Sequence, residues 1–128
     1  MMSLIAAAAL LVVAEGPVMV VSAPEAEYDI GYVELVTGED RAAIKAIENC
    51  EKLPASDPAR QINHAVALAR VGEFDAAREK FDAAARNADR FELETTSGAW
   101  VDSKVLARRG LAMLDGGEFR GYEALAVR

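Results

Sequence analysis

A chain of 128 residues, 52% of them hydrophobic and 27% charged, has the size and make-up of one globular domain, long enough for a single core and without the bias of a disordered or collagen-like chain. Its 21 acidic against 14 basic residues leave a net charge of −7 with no basic run, which excludes a phosphate backbone as partner because nucleic acid is held through Lys and Arg. The single cysteine excludes an internal disulfide and a thiolate metal cluster.

Residues 1–23 carry one charged side chain, Glu15. The uninterrupted apolar run from Leu4 to Ala14 has the length of a signal-peptide hydrophobic region and falls short of the roughly 20 residues of a membrane-spanning helix. The expectation is a secretory signal, or at least a hydrophobic N-terminal segment lying outside a domain of residues 24–128, and hence export to the periplasm or the medium. Small residues offer two cleavage sites: after Ala23, where Pro24 follows, and after Ala14, which Val12 precedes. An uncleaved anchor is a second reading, the one case in which a membrane is a partner, and it would hold Glu15 near mid-membrane at about 2.5 to 3.5 kcal/mol. A cytosolic chain with a hydrophobic start is the third.

From Pro24 onward the apolar spacing is helical. It predicts helices over about 25–36 and 40–51, with Cys50 on the packing face of the second as a small buried hydrophobe. Residues 53–57 form a short connection ending in Asp57, a suitable N-cap, and Pro58 fits the first helical position. Ile62, Ala65, Val66 and Ala69 make the buried stripe of that helix. Gly72 permits the left-handed backbone that ends it, and Phe74, Ala77, Phe81, Ala84 and Ala85 then trace a second amphipathic helix. His64, the sole histidine, falls inside the first of the pair, where a satisfied core histidine is expected. One imidazole without a second His or a nearby Cys makes no metal site.

The stretch 92–102, ELETTSGAWVD, begins with polar–apolar alternation, so a short extended piece is predicted before Gly98. Trp100 is expected to plug the gap between its neighbours, the alternative being an exposed binding anchor. Asp102 or Ser103 caps a helix through about Leu114, and a final helix starts near Glu118 and closes the end of the array.

Residues 58–91 resemble the tetratricopeptide repeat, a 34-residue helix-turn-helix unit. At that family's spacings stand Gln61, His64, Ala65, Leu68, Ala77, Phe81 and Asp89, while its leading Trp and closing Pro are missing. A shift of 34 residues upstream carries Pro58 to Pro24, Ala65 to Gly31, Gly72 to Gly38, Ala77 to Ala43, Phe81 to Ile47 and Ala84 to Cys50. Downstream, Gly110 and Gly117 reproduce the separation of Gly31 and Gly38, and Gly117-Glu118-Phe119 echoes Gly72-Glu73-Phe74, at a shift of 45. The extra 11 residues (45 − 34) coincide with 92–102, giving repeats over about 24–57, 58–91 and 103–128. The fold class expected is all-α, a right-handed superhelix of about three helical hairpins.

No constellation for catalysis stands out. The carboxylates are scattered, a Gly-rich phosphate loop is missing, and the GEFD and GGEF stretches are repeat turns. The expectation is a non-enzymatic adaptor without cofactor or metal that binds a protein or peptide segment. The resemblance implies that first helices line a concave face, which would gather Tyr28, Tyr32, Asn63, Val66, Arg70, Lys104, Arg108 and Leu111. In carboxylate-clamp members of the family a peptide's terminal carboxylate is held by Lys and Asn of repeat one, Asn of repeat two, and Lys and Arg of repeat three. Asn63, Lys104 and Arg108 match the last three, whereas Glu25 and Asp29 at the repeat-one positions repel a carboxylate. The rival readings are a small-ligand-binding or enzymatic periplasmic protein and a repeat protein that self-associates through its ends.

Overall fold

A computed structural model describes residues 20–22 and 30–121. Within them lie five helices, α1 (Tyr32–Val36), α2 (Asp40–Glu48), α3 (Pro58–Arg70), α4 (Phe74–Arg86) and α5 (Ser103–Asp115), and two strands, β1 (Glu92–Glu94) and β2 (Trp100–Asp102). Each helix packs on the next, and α3 also touches α1 and α5. The architecture is mostly helical, as expected. No helix among the described residues is long and apolar enough to cross a membrane.

The central pair α3–α4 follows from local chemistry. Asp57, in extended backbone, accepts from the Arg60 N–H at 2.9 Å, and Pro58 fills the first helical position. At the other end Gly72 adopts φ 88°, its N–H donates to Ala69 O at 3.1 Å and the Glu73 N–H donates to Leu68 O at 2.9 Å. That pair of bonds is the Schellman termination, which satisfies carbonyls a helix end leaves open. Only three residues separate α3 from α4, so the two run antiparallel. The same pair of bonds recurs after α1, at Gly38 and Glu39 (3.3 and 2.8 Å), and after α5, at Gly117 and Glu118 (3.1 and 3.0 Å).

The core runs through all five helices. Phe81, Ile47, Ile62 and Leu106 have no exposed surface. The Phe81 ring sits where a side chain on Gly110 would be, so α5 approaches α4 more closely than any other residue there would permit. Phe119 stacks on the same ring with centroids 6.3 Å apart.

Several expectations are corrected. A helix running unbroken from about residue 25 to 36 is not formed: Gly31, with φ 72° and ψ 18°, is the left-handed residue before α1, not an interior position like Ala65, while residues 23–29 lie outside the described set. The helix predicted over 40–51 stops at Glu48. Cys50 is therefore half-buried in the linker, not on a helix face, because Arg60 Nη1 donates to Cys50 O (3.0 Å) and Leu53 O (2.6 Å) and ties that linker to α3. The chain turns over 116–119 and buries Phe119; most of the final helix expected from Glu118 lies outside the described residues.

Stretch 92–102 is a complete antiparallel hairpin, with Glu92, Leu93 and Glu94 opposite Asp102, Val101 and Trp100, turned at Gly98 with φ 86°. The domain boundary drawn at 23/24 also cuts through packed structure. Val20 and Val21 are 3% and 2% exposed and belong to the core cluster, and Val21 bridges Thr95 in antiparallel fashion beyond β1.

Candidate functional site

Of the eight residues expected on the concave face, three are engaged inside the domain. Asn63 is wholly buried: its Oδ1 accepts the Val21 N–H at 2.7 Å, and its Nδ2 donates to Val21 O at 2.9 Å and Ile30 O at 3.1 Å. Val66 is 1% exposed. Arg70 donates to Leu35 O at 2.9 Å and pairs with Asp40 at 3.3 Å, with both side chains mostly covered. These three fall on the face of α3 that α1 and the Val20–Ser22 segment cover, so the face that the resemblance assigns to a groove is filled from within the chain. Tyr32 and Leu111 are half-buried and pack against the core. Tyr28, Glu25 and Asp29 lie outside the described residues.

Lys104 and Arg108 remain at the surface of α5, four residues and so about one turn apart. The pair is suited to an anion, but without Asn63 the neutral hydrogen bond of a carboxylate clamp is missing.

The hairpin presents a second surface. Trp100 is 63% exposed, so it does not plug a gap; Leu93 and Val101 pack on the core instead, and strand alternation turns Trp100 to the opposite face with Glu92, Glu94 and Asp102. The bonds Ser103 N–H to Phe91 O (2.8 Å) and Thr95 N–H to Ala99 O (2.9 Å) set the ladder phase. By that phase the Trp100 N–H and C=O point away from β1, along the outer edge of β2. Asp102 lies on this face and also caps α5, accepting from the Lys104 N–H at 2.8 Å. The Arg90 guanidinium, 2.8 Å away, holds the Asp102 carboxyl below the usual carboxylate range, which keeps the cap charged.

His64 is not a satisfied core histidine. Its Nε2 is 3.4 Å from Glu48 Oε2, an electrostatic contact without hydrogen-bond geometry. Burial, reinforced by nearby Lys80, outweighs Glu48 and lowers its pKa. Among the described residues no group of three or more His, Cys, Asp or Glu converges as a metal site would require.

A groove of about 290 Å³ between α4 and the turn after α5 is lined by Phe74, Asp75, Arg78, Leu114, Gly117, Phe119 and Arg120. Its two cations are engaged, Arg78 with Asp115 at 2.9 Å and Arg120 over the Phe74 ring at 5.4 Å. Val20 and Val21 are the site-forming residues that sequence reasoning missed; the signal available was the β-branched composition of Val18-Met19-Val20-Val21, which favours strand over signal-type helix. The chain matches no protein-family profile, no curated protein and no solved structure.

Proposed function

We propose that this chain is a small exported helical-repeat protein of tetratricopeptide type, and that it works as a non-catalytic adaptor binding an extended segment of another protein. Support for the repeat comes from the three Schellman terminations at Gly38, Gly72 and Gly117, spaced at the intervals of 34 and 45 that the sequence comparison of the units uses. On this reading the described residues hold two and a half of about three helical hairpins, with a β-hairpin inserted before the third, coiled into a right-handed superhelix.

One observation carries the binding reading: the largest aromatic side chain of the molecule stands 63% exposed on an edge of β2 that pairs with no other strand among the described residues. Tryptophan is enriched among the residues that anchor interfaces, and an unpaired strand edge takes up an extended peptide by adding a strand. The neighbouring Glu92 and Glu94 favour a segment with basic side chains. Lys104 and Arg108, at the start of the adjoining helix, favour its acidic end or a second acidic site.

Capture of partners from an envelope extract on immobilised wild type, Trp100→Ala and Lys104→Glu/Arg108→Glu proteins tests this. Trp100→Ala is expected to weaken the captured interaction by about tenfold or more while leaving the melting temperature unchanged. Equal capture by wild type and Trp100→Ala would move the site to α5, where loss in the double variant and a strong salt dependence would locate it.

A further inference from the structure

Val20, Val21 and Ser22 are held as a strand holds its neighbour. The Ser22 N–H donates to Glu94 O at 2.9 Å and the Thr96 N–H donates to Val20 O at 3.1 Å. On the other side Asn63 takes both backbone groups of Val21, accepting its N–H at 2.7 Å and donating to its C=O at 2.9 Å. A carboxamide so placed substitutes for the backbone of a missing fourth strand. Both valines are in the core. Loss of the segment would leave Asn63, which has no exposed surface, with Ile30 O alone, and would strip Glu94 O and the Thr96 N–H of their partners. A buried amide such as Asn63 that loses its partners is strongly destabilising.

We propose that Val20–Ser22 is a permanent strand of the mature domain and that N-terminal processing therefore occurs upstream of Val20. Of the two sites the sequence offers, cleavage after Ala14 keeps the strand and cleavage after Ala23 removes it. The placement of the cleavage rests on the export reading; the requirement for the strand does not.

The test is expression of the full chain with its own N terminus in a Gram-negative host, with intact mass of the protein recovered from each fraction. A mature chain beginning at Glu15, or anywhere before Val20, is the expected result. A chain beginning at Pro24 that still melts cooperatively overturns the proposal. An uncleaved chain confined to the cytosol retains the strand but defeats the export reading, so the two failures are told apart.

Two full-chain variants test the strand itself. Ser22→Pro deletes the N–H given to Glu94, and Asn63→Asp turns a donor into an acceptor facing the carbonyls of Val21 and Ile30. Each is expected to lower the melting temperature by roughly 5 to 15 °C, Ser22→Pro without loss of the cooperative transition. Unchanged melting in both overturns the proposal as firmly as a Pro24 terminus.

Discussion

Phe81 touches most of what makes this a single body: its ring has no exposed surface, stacks on Phe119 and occupies the space opposite Gly110. Phe81→Ala should cost about 3 to 5 kcal/mol through the cavity it opens, a large part of the stability of a domain this size, and chemical denaturation would read it directly. Gly110→Ala tests the opposite limit. A methyl group there meets the Phe81 ring, and overpacking of this kind costs about 1 to 3 kcal/mol; equal stability of wild type and variant would show that α4 and α5 are free to move apart.

His64 supplies a pH dependence whose sign follows from its surroundings. Its folded-state pKa lies below the ordinary 6.5, first through burial and then through Lys80. The unfolded chain therefore takes up the proton first, so the stability belonging to the neutral ring is present above 6.5 and lost as pH falls from there towards the folded-state value. Asp40 acts with the opposite sign: burial outweighs Arg70 and raises its pKa above 3.8, so its contribution fades as pH rises through that lower window. Melting curves between about pH 7 and pH 5 should show a decline for wild type that flattens in His64→Gln. Parallel curves would mean that His64 does not titrate differently on folding.

At the scale of elements, the molecule is punctuated by three identical helix ends. Gly38 isolates their cost, because its φ is 81° and a methyl group there meets nothing within 4 Å. Gly38→Ala should lose about 1 to 2 kcal/mol from left-handed backbone strain alone, measured as a shift in denaturation midpoint at constant slope. Asp57→Ala at the opposite kind of helix end should lose about 0.5 to 2 kcal/mol with its cap bond to Arg60. These ends were readable in the sequence because each is a local contract: a Gly two residues past the last helical position, or an Asp before a Pro, decides its turn without distant help. The hairpin was half readable. Alternation in Glu92–Thr95 announced its first strand, but the return strand contains the pair Trp100-Val101, whose two faces only become distinct once Leu93 and Val101 have a core to pack on.

For the whole molecule, helical periodicity in a single sequence states which residues turn the same way, not what covers them. Asn63, Val66 and Arg70 share a face of α3 that the resemblance assigns to a groove. That face is instead covered by α1 and by Val20–Ser22, through hydrogen bonds that span 33 to 42 residues of sequence. The amino-acid sequence by itself determined the positions of α3, α4 and α5 with their caps and terminations, since these depend on contacts within a turn or two of helix, and the acidic balance of the chain. Only the tertiary structure decided that an apolar stretch resembling an export signal ends in a buried segment bridged to Thr95, that Asn63 holds the backbone of that segment, and that Trp100 stands in solvent. Each of those outcomes turns on which distant segment arrives to satisfy a buried amide or cover an apolar face, and local pattern carries no record of it.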